Sequence, residues 1–231
     1  MKINKDINGL VLIDKPEGVR STECVNKIKY LLKAKAGHAG TLDSTASGLL
    51  IILLGKNTRM FDYFMTQLKV YRVKLQAGAA TDTCDYSGNI IFKYEKDFEL
   101  NNKALDDILP GFYGWRMQRP PEISALKING VPAHKLARLG KDLDLKLNLK
   151  SRAVFIENIK RINEVEDNCA ELEILCGRGT YVRSIVRDIG WRLGCGAFVK
   201  SLRRISIGDF KVEDALSFND IKDAGDIKII N

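Results

Sequence analysis

Gly37-His38-Ala39-Gly40-Thr41-Leu42-Asp43-Ser44-Thr45-Ala46-Ser47-Gly48 sets two reactive side chains, His38 and Asp43, among three glycines and several one- or two-carbon residues. Small residues let backbone approach a ligand closely, and a lone carboxylate on such a loop is a candidate nucleophile. The same composition fits a plain turn in which Asp43 and Ser44 cap the backbone. Gly177-Arg178-Gly179-Thr180-Tyr181-Val182-Arg183 follows a strand-like run and opens a helical one. Thr180 is placed to cap that helix, and the free N–H groups are placed to meet an anion. Arg183 and Arg187, four apart, share a helix face. Arg183 reads as a phosphate contact, as the partner of a buried carboxylate, or as an exposed ion-pair residue. Thr81-Asp82-Thr83-Cys84-Asp85 sets two carboxylates three residues apart, which suits a Mg²⁺ ion but more often makes a turn. Gly48 and Gly55 are separated by six residues and Asn57 stands where Ser or Thr belongs, so the Walker A pattern fails and an NTPase is disfavoured.

Lys and Arg number 37 against 29 Asp and Glu, for a net charge of +8 over 231 residues. The excess is concentrated. Residues 116–141 carry six basic side chains against Glu122 alone, and residues 176–204 carry seven against Asp188 alone. Those 55 residues hold +11 and the other 176 hold −3. A polyphosphate partner selects for such clustering, because each neutralised phosphate releases condensed counterions, so nucleic acid is the leading partner class. Five cysteines with no CxxC pair and only two histidines point to neither a zinc site nor a disulfide framework. The absence of a long apolar run argues against a membrane span, and the N-terminus lacks a secretory pattern. A cytoplasmic protein is expected.

The elements that must hold these residues are legible in outline. Gly9–Lys15, ended by Pro16, and Leu49–Leu54 are buried strands, while Tyr71, Val73, Leu75 and Ala77 alternate with polar residues as in a half-buried strand. Ser21 and Thr22 offer N-caps to a helix carrying Val25, Ile28, Leu31 and Leu32. Further strands are expected near Ile90–Phe92, Ala153–Ile156 and Ala170–Leu175, and a long amphipathic helix carries Val182, Ile185, Val186, Ile189 and Leu193. Phe61-Asp62-Tyr63-Phe64-Met65 reads as core. Strands and helices mix without strict alternation, which favours an α+β fold with a mixed sheet. Residues 117–150 read as a surface insertion, with a short helix over Ala133–Leu139, in a single domain spanning 1–231.

Five stretches taken in order closely resemble the motifs of the TruB family of tRNA pseudouridine synthases. They are Gly37 to Asp43, Tyr71-Arg72-Val73, Thr81 to Asp85, Ser124-Ala125-Leu126-Lys127 and Gly179 to Arg183, within a resemblance running from about residue 9 to 210. The resemblance implies the pseudouridine synthase fold, a mixed, largely antiparallel central sheet flanked by helices and loops. It implies an isomerase that converts the T-loop uridine at tRNA position 55 to pseudouridine with neither metal nor organic cofactor. Asp43 would be the nucleophile, Tyr71 would stack on the extruded base and help remove the C5 proton, and Arg183 would pair with Asp43. His38 would brace the space that the base vacates. Tyr181 and Leu202 would line the uracil pocket, and Lys127, Lys135 and Arg138 of the insertion would clasp the T-stem and T-loop.

The chain departs from the family pattern at Ala39 for Thr, Ser44-Thr45 for Pro-Leu and Ile123 for Tyr. Family members commonly carry a C-terminal RNA-binding domain of the PUA type. Here the sequence stops soon after Ser217, so a minimal or truncated catalytic domain with weaker, more salt-sensitive tRNA binding is expected. A monomer without a membrane or metal partner is expected as well. The alternative of another class is a non-catalytic RNA-binding or tRNA-remodelling protein, which needs the basic surface and not the nucleophile.

Overall fold

A computed structural model describes residues 6–95, 98–122 and 150–230, with the backbone alone at 127–128 and 131–132. In chain order the first strands are β1 Gly9–Lys15, β2 Ala36–His38, β3 Ala46–Leu54, β4 Lys69–Ala77, β5 Ala79–Thr81, β6 Ile90–Lys93 and β7 Gly114–Gln118. Then come β8 Lys127–Ile128, β9 Val131–Pro132, β10 Arg152–Arg161, β11 Cys169–Cys176, β12 Ala197–Ile207, β13 Phe210–Lys211 and β14 Leu216–Ser217. The helices are α1 Ser21–Leu32, α2 Phe61–Thr66, α3 Asn102–Ile108 and α4 Val182–Arg192. The chain divides into two compact units, one of residues 1–71 with 202–231 and the other of residues 72–201.

In the first unit β3 is the central strand. It pairs antiparallel with β1 from Gly9↔Leu54 to Lys15↔Gly48, antiparallel with β2, and parallel with β12 at Leu202↔Ala46. Its two faces meet different cores. Leu49, Ile51 and Leu53 join Leu10, Leu12, Phe64, Ile207 and Val212, whereas Leu50, Ile52 and Leu54 join Val11, Ile13, Cys24, Ile28 and Ile221. Burial on both faces is why this strand reads as an unbroken apolar run. Helix α1 supplies Cys24 and Ile28 to the second core. Its N-cap is Arg20, whose amide donates to Glu23 Oε1 at 3.3 Å, and not Ser21 or Thr22 as expected. Ser21 is buried one position inside the helix, where its hydroxyl is engaged elsewhere. Only Phe64 of the Phe61–Met65 stretch lies in the core, while Phe61 and Tyr63 are exposed. A helix as short as α2 turns just one aromatic inward.

In the second unit Val73, Leu75 and Ala77 of β4 are buried and Arg72 is exposed, the alternation expected. Strand β10 pairs antiparallel with β11 on one side and with β7 on the other, where Arg152 faces Gln118 and Ile156 faces Gly114. Helix α4 buries Val182, Ile185, Val186 and Ile189 of the stripe read from the sequence, while Leu193 is its half-buried C-cap residue. β5 and β6 form a separate hairpin, as do β8 and β9. The expected helix over Ala133–Leu139 lies outside the described residues. Antiparallel pairings predominate, with β1–β14 and β3–β12 parallel, and the helices do not alternate strictly with strands, so the class is α+β. All five cysteines are buried free thiols. No helix among the described residues is long and apolar enough to cross a membrane.

Candidate active site

The loop that carries Asp43 belongs to the first unit and is pinned from several directions. His38 ends β2 opposite Ile52, and the Ala39 amide donates to Ile51 O, so the chain enters the loop from the sheet. The Ser21 hydroxyl donates to Leu42 O and accepts from Leu42 N, both at 2.9 Å, which holds the peptide just before Asp43. The Ala46 amide donates to Asp43 O at 3.1 Å, and the Gly18 amide donates to Ser44 O at 2.8 Å. Asp43 itself is half-buried.

Two buried cations underlie this region. Lys15 Nζ donates to the carbonyls of Pro16 and Val19 at 2.9 and 2.7 Å. Burial pushes the Lys15 pKa down, the charges of Cys24 and Asp43 oppose that shift, and Arg204 adds to it. The second cation, Arg204, donates from Nε to Leu49 O at 2.7 Å and from Nη2 to Gly40 O at 3.1 Å. Burial, and then the charge of Arg204, push the His38 pKa below its ordinary value, so the imidazole is neutral at physiological pH. Tyr71 is buried on β4, and Leu202 on β12 lies level with Ala46. Asp43, His38, Tyr71 and Leu202 therefore all belong to this unit.

Tyr181 and Arg183 belong to the second unit. The Arg183 side chain is 6% exposed, with Nη1 3.6 Å from Asp85 Oδ2 and donating to Thr83 O at 2.8 Å. Of the three readings open for this arginine, the structure displays a buried partner of a carboxylate, and Asp85 is one such carboxylate. Asp85 Oδ1 also accepts from the hydroxyls of Thr83 and Ser87 at 2.7 and 2.6 Å, while Asp82 Oδ1 accepts from Asn89 N at 3.0 Å. These two carboxylates thus close turns, the commoner use of that spacing. Arg187 is engaged apart from Arg183, with Asp188 and Arg119 O. Tyr181 is the N-cap residue of α4. Its amide donates to Gln118 Oε1 at 2.8 Å, its carbonyl accepts from Gln118 Nε2 at 3.1 Å, and Arg152 lies over its ring at 4.9 Å. Thr180 does not cap α4, because its hydroxyl donates back to Gly177 O at 3.0 Å.

Lys127 is described only as backbone of β8, and Lys135 and Arg138 lie outside the described residues. Sequence reasoning missed Ser21, Gln118, Arg152 and Arg204 as members of these arrangements, and Asp85 as a partner of Arg183. The available signal is a polar residue inside an otherwise apolar strand or helix face, which marks such a residue but not its partner.

A family model described as the N-terminal domain of the TruB family pseudouridylate synthases matches residues 28–182, more than half of the chain. This chain belongs to the TruB family. A second model, described as the tRNA pseudouridylate synthase B C-terminal domain, matches residues 183–227 of this TruB-family chain. The tRNA pseudouridine synthase B of Blochmanniella pennsylvanica is 45% identical over 208 residues, covering 90% of this chain and 77% of that relative. The synthase of the same name from Aquifex aeolicus is 43% identical over 216 residues, covering 93% and 73%. Among solved structures, one of a Cbf5–Nop10–Gar1 complex matches with a TM-score of 0.69 and 28% identity over 92% of this chain and 53% of that chain. A structure titled as an H/ACA RNP bound to a substrate RNA containing 2'-deoxyuridine matches with a TM-score of 0.66 and 25% identity over 92% and 51%. This TruB-family chain thus has the pseudouridine synthase fold and spans about half the length of those solved chains.

Proposed function

We propose that this chain is a tRNA pseudouridine synthase that isomerises the T-loop uridine at position 55 of tRNA, with Asp43 as its nucleophile. The observation that carries the reading is the Asp43 loop itself: a half-buried carboxylate on small residues, its backbone tied to Ser21, Gly18 and Arg204, in a chain of this family. Pseudouridine formation breaks the bond between C1' and N1 of uridine, turns the base and joins C5 to C1', with loss of the C5 proton and gain of a proton at N1. No electrons enter or leave, so side chains alone suffice in principle.

The target base is stacked within a folded loop and must be extruded at a cost of a few kcal/mol, of which an aromatic face returns about 1–3 kcal/mol. Tyr71 takes that stacking role and helps remove the C5 proton, and His38, neutral, braces the vacated space. Arg183 supplies the cation that keeps the nucleophilic carboxylate ionised as water leaves, since a neighbouring guanidinium lowers a carboxylate pKa by roughly 1–3 units. Tyr181 and Leu202 wall the uracil, and Lys127, Lys135 and Arg138 clasp the RNA phosphates. A single cytoplasmic catalytic domain acting as a monomer completes the proposal.

The experiment is release of tritium from C5-labelled uridine in unmodified tRNA by wild type and Asp43→Ala. Release by wild type alone, abolished when tRNA position 55 is changed to cytidine, is the expected result. No release from either protein despite tight tRNA binding would overturn the reading in favour of an RNA-remodelling protein.

A further inference from the structure

The pairing register of the first unit sets Lys15 on β1, Gly48 on β3 and Arg204 on β12 side by side in one row. Lys15 and Arg204 are 0% and 1% exposed, and they stand on either side of the glycine. Gly48 has φ +105°, and a Cβ placed there would lie 2.2 Å from the Arg204 carbonyl oxygen, so only glycine admits β12 at this spacing. Lys15 satisfies two carbonyls within its own turn, at Pro16 and Val19. Arg204 does something different. Its two hydrogen bonds go to Gly40 O, at the start of the loop in which Asp43 lies, and to Leu49 O, in the strand β3 that the loop leads into. No acidic side chain is among its hydrogen-bond or ion-pair partners in the described residues.

Burying an ion costs several kcal/mol after relaxation, and an apolar side chain would continue β12 without that cost. What a guanidinium provides in exchange is geometry. It is planar and rigid, so its N–H vectors set the separation of two acceptors in a way that a flexible ammonium or a single hydroxyl does not. A nucleophile tolerates little displacement, since a 1 Å error can cost about 100-fold in rate.

We infer that Arg204 is the positioning residue of Asp43, tying the start of the 39–45 loop at Gly40 to β3 at Leu49 so that the carboxylate is presented at one fixed place. Arg204 acts through the loop backbone and exchanges no proton with the substrate. The inference rests on Asp43 being the nucleophile.

Its test uses the full chain with Arg204→Lys and Arg204→Met beside Asp43→Ala. The readouts are the single-turnover rate of tritium release per folded molecule, the tRNA Kd, and amide hydrogen exchange of residues 41–46 compared with residues 10–13. Arg204→Lys is expected to lose about 10- to 100-fold in rate with Kd within about twofold, and Arg204→Met to lose more. In Arg204→Lys the amides of 41–46 exchange about tenfold faster while those of 10–13 are unchanged. A residue that merely supports the fold would lower the thermal midpoint and leave the rate per folded molecule and the loop exchange at wild-type values. That result overturns the inference, as does failure of both variants to fold. Activity in Asp43→Ala would sink the nucleophile reading, whereas an inactive Asp43→Ala beside an unimpaired Arg204→Lys would sink only the positioning role.

Discussion

Arg183 and Asp85 are both buried side chains, and the consequence of removing one depends on what is left behind. Taking away the carboxylate removes one partner of a buried cation, and breaking a buried ion pair costs about 3–5 kcal/mol, although the pair as a whole adds little to stability. Asp85→Ala is therefore expected to lower the free energy of unfolding by about 3 kcal/mol in urea titrations. Asp85→Asn keeps an acceptor for Thr83 and Ser87 and should cost less. His38 gives a pH-dependent prediction. Its folded pKa lies below the unfolded value of about 6.5, so below that pH the unfolded chain binds a proton that the folded chain refuses. Stability should fall as pH drops from about 7 into the window between about 6.5 and the lower folded value, and His38→Asn should flatten that slope. Equal slopes in the two proteins would contradict the assignment. Candidate reactive residues were legible in the sequence by type and setting, as with Asp43 on its small-residue loop. Arg183 showed its character there too, but its described partner, Asp85, read only as a turn or metal residue, since side-chain type does not say which residue lies opposite.

At the scale of elements, two glycines decide how closely strands and helices pack. Gly48→Ala would require both an unfavourable positive φ and a Cβ 2.2 Å from the Arg204 backbone, so β12 cannot remain parallel beside β3. Gly18 offers the control, because its φ of +86° is also positive yet no atom lies within 4 Å of its added Cβ. Gly18→Ala should cost roughly 1–2 kcal/mol of backbone strain, whereas Gly48→Ala should give little or no folded protein, as judged by soluble yield and thermal melting. Gly190 in α4 poses a contest between two effects. Helix propensity favours alanine by about 1 kcal/mol, but a Cβ there would lie 2.1 Å from the Ala197 amide nitrogen. Steric overlap wins, and Gly190→Ala is expected to lower the urea midpoint. The strands β1, β3 and β4 and the helix α4 were legible because an apolar run or stripe is a local property. The start of α1 was misread, since Ser21 has the residue type of a cap but its hydroxyl is bound to Leu42, 21 residues away.

Over the whole molecule the charge of +8, concentrated in 116–141 and 176–204, makes RNA binding salt-dependent. A Lys135→Ala/Arg138→Ala double variant should bind tRNA more weakly. Its slope of log affinity against log salt should be shallower by about 0.9 for each duplex phosphate that is no longer neutralised, or about 0.7 for single-stranded RNA. Binding indistinguishable from wild type at low salt would remove the insertion from the RNA-clasping role. Length, charge distribution, the apolar periodicities and the ordered motifs are properties of the chain read residue by residue. From them the sequence by itself determined the α+β class, the family resemblance, the clustering of basic residues and the candidate nucleophile. The tertiary structure alone decided that Arg204 reaches Leu49 and Gly40, 155 and 164 residues earlier in the chain, and that Arg183 meets the Thr83 carbonyl 100 residues before it. Those partners exist because β12 lies parallel to β3 in one register, and because α4 and the 81–85 turn are folded into the same unit. Strand order and register follow from the joint burial of many side chains at once, so no local stretch of sequence contains them.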